Sequence, residues 1–355
     1  PVGGVDEREW ALVQDIAAAG GSVRFLADDY ANDTMARYRF LHAKYAIIDA
    51  TIVLVGSENW GDHGFPAQSK IGNRGWQVAV EDPELAGYFA DLFRRDFDPR
   101  RRDSVAVADF APSLFASNES APGGPYPSPI ANLQFSGRFN VTPVIAPEHA
   151  LRDDAVLGLL ASATSSLDIE AFYVARVWAA GPDPYLEAAI GASRRGVHVR
   201  ILLDGTWYNV EGDDPVDNDD TAAYVNGIAR REGLPLEAKV GDAEGHGLSK
   251  FHNKGILVDG GTAFVSSLNW NRNAATNNRE VGLIVEGREI AEPFRAAFER
   301  DWGEAAPPTN GADLITNPLL LPLVTLLAVN VALLWAVLRR RRQGRKGLSE
   351  DEPLE

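Results

Sequence analysis

Two stretches of this chain carry the same polar residues in the same order, and these residue types are suited to chemistry on a phosphodiester. Each stretch has a His-x-Lys pair, an Asp five positions after the Lys, and a Ser-x-Asn-Trp further on. An imidazole can attack phosphorus and a second imidazole can protonate the leaving oxygen. Lys and Asn side chains can hold the phosphoryl oxygens and stabilise the charge that develops on them. The residues are His42, Lys44, Asp49, Ser57, Asn59 and Trp60 in the first copy, and His252, Lys254, Asp259, Ser267, Asn269 and Trp270 in the second.

The residues between these polar positions predict a β-hairpin in each copy. On an extended strand the side chains at i and i+2 share a face, so each His lies on the same face as its Lys. The apolar residues after the Lys predict a buried strand, and Asp49 and Asp259 begin the turns. Each return strand then brings its Ser and Asn back towards the His. A turn-forming role is favoured for the two Asp, which we also keep as candidate catalytic residues; the two Trp fit either a pocket wall or the core.

The doubled His-x-Lys-x4-Asp motif resembles that of the phospholipase D superfamily, which includes cardiolipin and phosphatidylserine synthases and certain nucleases. The resemblance covers most of residues 5–302. It implies an α/β fold in which two repeats, each a mixed sheet flanked by helices, form one pseudo-two-fold unit. It also implies a phosphohistidine intermediate, with His42 and His252 as nucleophile and general acid in either order. Lys44, Lys254, Asn59 and Asn269 would bind phosphate, with Ser57 and Ser267 beside them.

The chain departs from the pattern of this family at two positions, one of which is Ser266, where the family prefers Gly. A Glu usually follows each motif, and the second copy has it as Glu280, which joins the candidate substrate-binding residues. The first copy has Gly75 at the equivalent place. The partner that orients one of the two His is therefore either missing or supplied by another side chain, with Asp62, Gln77 and Glu81 as the candidates.

No cofactor is expected. The chain has no Cys and no His-Glu-x-x-His spacing, and Lys is not a usual metal ligand. The resemblance likewise implies a reaction without metal.

The internal repeat also predicts how the chain is divided. Strands at 165–174 and 197–204 and a helix at 184–195 have no counterpart ahead of the first motif, so we expect a first repeat that is truncated at its N-terminus. A segment rich in Pro, Ser, Gly and Asn separates the repeats. The predicted order is a first repeat at 1–105, a linker at 106–140, a second repeat at 141–303, a linker at 304–316, a transmembrane helix at 317–338 and a cytoplasmic tail at 339–355.

The C-terminal region predicts a membrane anchor. Residues 319–338 carry no charge and four Arg follow at once, a pattern typical of a single span with a basic cytoplasmic flank. A buried core helix is the alternative. The expected location is the cell membrane, with the catalytic region outside the cytoplasm and the C-terminus inside.

The charge and composition of the chain limit which substrates are expected. The net charge is −16, and six Lys stand against fifty Asp and Glu, a balance typical of proteins adapted to high salt. We expect a membrane-anchored phosphodiesterase or phosphatidyltransferase that acts on phospholipids. A surface endonuclease is the second hypothesis, although its substrate calls for a basic track that this acidic chain lacks. A non-catalytic ectodomain that binds phosphate or lipid is the third.

Overall fold

The computed structural model describes residues 7–28, 30, 33–61, 63–66, 71–107, 133–179, 181–211 and 217–303 of the chain. The predicted second linker, transmembrane helix and tail lie outside these residues, as does most of the first linker. No helix among the described residues is long and apolar enough to cross a bilayer.

The second repeat is built on a mixed sheet of seven strands. The sheet combines two parallel strand pairs at one side with four antiparallel pairs. In spatial order the strands are β11 (Leu236–Gly241), β10 (His198–Asp204), β7 (Ser166–Ala171), β12 (Lys254–Val258), β13 (Thr262–Ser266), β14 (Glu280–Glu286) and β6 (Asn140–Ala146). A two-stranded ribbon of β8 (Val177–Trp178) and β9 (Gly181–Pro182) lies apart from this sheet.

Helices cover both faces of this sheet. Along β10 the side chains alternate, so Ile201 and Leu203 join one apolar cluster while Leu202 joins another. The first cluster also contains residues of α3, α4 and α5, and the second contains Phe298 and Trp302 of α7. The second-repeat helices are α3 (Val156–Ser162), α4 (Pro184–Arg194), α5 (Asn218–Glu232), α6 (Arg272–Thr276) and α7 (Arg288–Gly303). The predicted α/β class is confirmed, as are the strands and helix predicted ahead of the second motif.

The first repeat keeps the motif hairpin on a smaller sheet. Strands β2, β3 and β4 form an antiparallel sheet of three, and β1 pairs with β5. The elements are α1 (Glu7–Ala18), β1 (Arg24–Leu26), β2 (Tyr45–Ile48), β3 (Ile52–Gly56), β4 (Gln77–Glu81), α2 (Pro83–Asp96) and β5 (Ser104–Ala106).

Both predicted hairpins are present, β2–β3 in the first repeat and β12–β13 in the second. Their turns have two successive positive φ angles, 50° and 53° at Asp49 and Ala50 and 51° and 60° at Asp259 and Gly260. Two left-handed residues in a row are what a tight type I′ hairpin turn requires. Asp tolerates this conformation better than most residues, which accounts for an Asp at the same place in each copy.

The two repeats interlock through reciprocal backbone contacts. The segment before the first motif pairs in parallel with the second repeat at Leu41 and Arg279, and the equivalent pair is Phe251 with Arg74. The amide of His42 donates to the carbonyl of Arg279 at 3.0 Å, and that of His252 donates to the carbonyl of Arg74 at 2.8 Å. Each histidine is therefore attached to the other repeat just ahead of the strand that follows it.

Buried ion pairs also join the two repeats, with an Arg of each repeat bound to an Asp of the other. Arg74 of the first repeat binds Asp301 at the end of the second, with nitrogen–oxygen distances of 2.7 and 3.0 Å. Arg279 binds Asp96 at 2.8 Å from Nε. The sequences that close the two repeats are similar, FADLFRRDF at 89–97 and FRAAFERDW at 294–302. The ion pair that each one makes explains the Asp that they share.

Candidate active site

The two His-Lys pairs are arranged alike. Lys44 Nζ donates to the backbone oxygen of His42 at 2.6 Å, and Lys254 Nζ donates to that of His252 at 2.7 Å. Both lysine side chains are buried. Each lysine nitrogen is thereby fixed against the backbone of its own His.

His42 is held by a carboxylate of the opposite repeat. Its Nδ1 lies 2.7 Å from Oε2 of Glu280, which is fully buried at the start of β14. The hydroxyl of Ser267 donates to the same carboxylate oxygen at 2.6 Å, and the amide of Asn278 donates to Oε1 at 3.0 Å. Glu280 is therefore locked in place, and its contact with Nδ1 leaves Nε2 of His42 as the ring nitrogen available for chemistry.

His252 faces Glu58, a residue that the sequence analysis did not select. Its Nδ1 lies 3.3 Å from Oε1 of Glu58, within ion-pair range but without the alignment of a hydrogen bond. Asn73 donates to the other carboxylate oxygen of Glu58 at 2.9 Å. The expectation that Gln77 or Glu81 would orient this His is wrong, and Asp62 lies outside the described residues. The signal was available in the sequence, because Glu58 stands inside Ser-Glu-Asn-Trp where the second copy has Leu268.

Burial sets the protonation states of this cluster. Desolvation, reinforced by the charge of Lys254, lowers the pKa of His252 to about 4, although the Glu58 carboxylate acts against this shift. Desolvation also lowers the pKa of Lys44 to about 8, and it holds the pKa of Lys254 well below its ordinary value. His252 is therefore neutral at pH 7, and the lysine side chains lie where an arriving phosphate would restore their full charge.

The repeated Asp residues lie away from this cluster. Asp259 follows the last residue of β12, and roughly 16 Å of extended strand separates it from Lys254 at the first. Its carboxylate accepts hydrogen bonds from the backbone amides of Thr164, Ser165 and Ser166, and these bonds hold its pKa below the usual range despite partial burial. Asp49 occupies the same turn position in the first repeat and is exposed. The structure therefore gives both Asp the turn role and does not bring them to the histidines.

In the two Ser-x-Asn-Trp motifs the Ser residues have the same burial and similar backbone contacts, whereas the Asn and Trp residues differ in burial. Ser57 and Ser267 are both buried and both bond the backbone of the neighbouring strand. Asn269 is buried with its side-chain oxygen unpaired, whereas Asn59 is exposed. The Trp residues divide in the same way, because Trp270 lies in the core and Trp60 is exposed.

An aromatic wall with a third lysine borders His252. The ring centroid of Phe172 lies 4.7 Å from that of His252, and Lys250 Nζ lies 5.4 Å from the Phe172 ring. Lys250 also donates to the hydroxyl of Tyr208 at 3.2 Å, next to the exposed Trp207. Trp207 and Tyr208 follow β10 closely in sequence, but only the structure brings Phe172 and Lys250 to them.

No group of three or more His, Cys, Asp or Glu within the described ranges is arranged to hold a metal ion.

Comparison with known proteins agrees with this geometry. Residues 2–97 and 156–302 match a family described as "Cardiolipin synthase, PLD-like domain". The chain is 25% identical over 293 residues to mouse 5'-3' exonuclease PLD4, which covers 74% of this chain and 54% of the relative. It is 30% identical over 153 residues to mouse mitochondrial cardiolipin hydrolase, which covers 43% of this chain and 58% of the relative. The chain thus spans little more than half the length of these two relatives.

One of the similar solved structures is phosphatidylserine synthase from Haemophilus influenzae. Its TM-score is 0.49 at 15% identity, and the match covers 74% of this chain and 61% of that one.

Proposed function

Because this chain belongs to the phospholipase D superfamily, we propose that it cleaves phospholipid phosphodiesters through a phosphohistidine intermediate. The observation that carries the proposal is the reciprocal pair of histidines. Each imidazole has Nδ1 against a buried carboxylate of the other repeat, and the lysine two residues later bonds the backbone oxygen of the same histidine. Two imidazoles and two buried lysine side chains are the groups that double displacement at phosphorus needs.

His252 is the better placed of the two to be the nucleophile. It is buried and, with its pKa lowered to about 4, it is neutral at physiological pH. Its Nε2 lone pair attacks phosphorus, and the bond from phosphorus to the leaving alcohol oxygen breaks. His42 donates a proton to that oxygen, and the Glu280 carboxylate faces the imidazolium that this role requires.

In the second half of the reaction His42 acts as the general base and His252 is the leaving group. His42, now neutral, takes a proton from the acceptor, whose oxygen attacks phosphorus as the bond to His252 Nε2 breaks. Water as acceptor completes hydrolysis, and an alcohol completes phosphatidyl transfer. Lys44 and Lys254 neutralise the phosphoryl oxygens in both steps.

An activated substrate separates the two histidine roles. A p-nitrophenyl phosphodiester needs little help from an acid because its leaving group is already stable as an anion. His42→Ala is expected to release one equivalent of p-nitrophenol in a burst and to retain phosphorus on His252, whereas His252→Ala should give neither. Phospholipid turnover should be lost in both variants. A phosphorylated His42 in the His252→Ala protein would reverse the assignment, and full lipid turnover in both variants would refute the proposal.

The proposal includes a membrane anchor at 317–338 that holds the site outside the cytoplasm. Its support is the uncharged run at 319–338 followed by four Arg. The test is flotation of the full chain with liposomes, compared with a chain ending at 303, together with protease accessibility of the tail in sealed vesicles. Equal flotation of both forms would count against the anchor.

Cleavage of single-stranded nucleic acid is the second candidate, and the wall beside His252 is the observation that favours it. Trp207 is 72% exposed and Tyr208 is 38% exposed, next to Lys250. Aromatic rings on which bases stack, set beside a cation for the backbone, are the usual parts of such a site. Trp207→Ala should then raise KM for a short oligonucleotide severalfold and leave the p-nitrophenyl diester unaffected. Intact oligonucleotide in the presence of wild-type enzyme that turns over lipid would exclude this candidate.

A further inference from the structure

We propose that Glu58 is the positioning residue of His252, and that positions 58 and 75 of the first repeat are an exchanged version of positions 268 and 280 of the second. The second repeat carries Leu then Glu at these places, whereas the first carries Glu then Gly. The inference rests on the proposed function for its catalytic consequence, but not for its structural content.

The backbone shows that Gly75 and Glu280 occupy equivalent places. The residue after each one donates its amide to the motif serine, Trp76 to Ser57 and Val281 to Ser267, both at 3.1 Å. The serine amides donate back to the same residues at 3.0 and 2.9 Å. A carboxylate attached at position 75 would therefore start from the same point as that of Glu280.

Glu58 fills the space that such a side chain would need. A Cβ atom on Gly75 would lie 2.2 Å from Cγ and 2.5 Å from Oε1 of Glu58, distances that no pair of non-bonded atoms tolerates. A side chain at position 75 therefore requires the Glu58 side chain to leave its place beside His252. The converse holds in the second repeat, where Leu268 is buried in the apolar core and leaves the site to Glu280.

The same partner serves the carboxylate in both repeats. Asn73 donates to Glu58 at 2.9 Å, and Asn278, its counterpart, donates to Glu280 at 3.0 Å. Each carboxylate then faces Nδ1 of the histidine that belongs to the other repeat. In both sites an asparagine side chain donates to the carboxylate, which comes from the segment after β3 in one site and from the start of β14 in the other.

The test is to move the carboxylate back to the adjacent strand. We compare the wild type with E58L and with the double variant E58L/G75E, which copies the Leu and Glu of the second repeat. E292Q, on the exposed side of α7, is the matched control. The readouts are kcat and KM on a phosphodiester and the ¹⁵N NMR signal of His252 Nδ1, which reports tautomer and hydrogen bonding without substrate.

E58L is expected to lower kcat by about 10²-fold or more, with KM changed by less than about threefold because both lysines remain. The Nδ1 signal of His252 should move, and E58L/G75E should restore both the signal and at least about tenfold of the lost kcat. E292Q should change neither.

Two results would overturn the inference. One is an E58L protein with unchanged kcat and an unchanged His252 signal. The other is a folded E58L/G75E protein in which neither signal nor activity returns. If the double variant does not fold, the His252 signal of E58L against wild type decides alone. Full turnover after loss of either histidine would instead refute the proposed function, and the NMR comparison would stand independently of it.

Discussion

The buried, neutral state of His252 predicts a specific loss of folding stability on acidification. The side chain is 5% exposed and packs edge-on against Phe172, beside Lys254. Burial, followed by the charge of Lys254, lowers its pKa to about 4 in the folded protein, whereas a histidine in the unfolded chain titrates near 6.5. The comparison that isolates this effect is the wild type against His252→Gln, a neutral side chain that cannot titrate.

The sign follows from proton counting. Between pH 6.5 and 4 the unfolded chain binds a proton that the folded His252 does not, so the free energy of unfolding falls as the pH falls. Above pH 6.5 both states are neutral and the group has no effect. From pH 7 to pH 5 the wild type should lose about 2 kcal/mol through this residue alone, rising to about 3 kcal/mol below pH 4.

Urea unfolding at pH 7 and pH 5 gives the change in the free energy of unfolding for each protein. The loss due to His252 is the change in the wild type minus the change in His252→Gln. Burial raises the pKa of Glu170 and of Asp183, which makes the folded state gain stability as pH falls, but both proteins share that contribution. The wild type should therefore lose about 2 kcal/mol more than His252→Gln over the same interval. Equal pH dependence in the two proteins would show that His252 is not held neutral by the fold, and the assignment of this residue as nucleophile would lose its basis.

Three further predictions concern the supports of the site. Asp301→Asn should lower the free energy of unfolding in urea by about 3–5 kcal/mol, because it leaves the Arg74 guanidinium without its buried charged partner. The exposed control Glu292→Gln should lower it by about 0.5 kcal/mol or less. An equally small loss for Asp301→Asn would show that the ion pair does not hold the repeats together. Asp259→Ala should lower stability by about 1–2 kcal/mol through loss of its amide contacts, with kcat of the folded enzyme unchanged; a large fall in kcat at full folding would return this Asp to the catalytic set. At pH 8 Lys44 is half neutral because burial lowers its pKa to about 8, so titration calorimetry in several buffers should show that the wild type takes up about half a proton more on vanadate binding than Lys44→Met does; equal uptake in the two proteins would place the titrating group elsewhere.

Much of the site follows from the sequence, because its pattern is local. The alternation of a strand places each His and its Lys on one face, and an Asp that accepts positive φ closes each hairpin. The duplication supplies the two imidazoles and two ammonium groups that phosphoryl transfer needs. The mixed sheet with helices on both faces was predicted as well, from the resemblance and from the apolar strands of the second repeat.

The pairing across the repeats was decided only by tertiary structure. Strand periodicity says which face a side chain occupies, but not which residue, 194 or 238 positions away in the chain, lies against it. Glu280 reaches His42, and Glu58 reaches His252, because each motif strand begins in a parallel contact with the opposite repeat. The carboxylate that faces His252 could come from the segment after β3 or from the segment before β4. The absence of Glu at position 75 therefore did not tell from the sequence which residue supplies it.

Long-range contacts also explain why residues that the two copies share differ in burial. Trp270 fills the core that surrounds the larger sheet, whereas Trp60, at the same place in the motif, is exposed beside a sheet of three strands. The shared local pattern determines the hairpin in both copies, but the burial of a side chain beyond the hairpin depends on which helices and strands pack there. The sequence by itself thus determined the reacting groups and their strands, and the fold decided their partners, because partner choice depends on contacts between residues far apart in the chain.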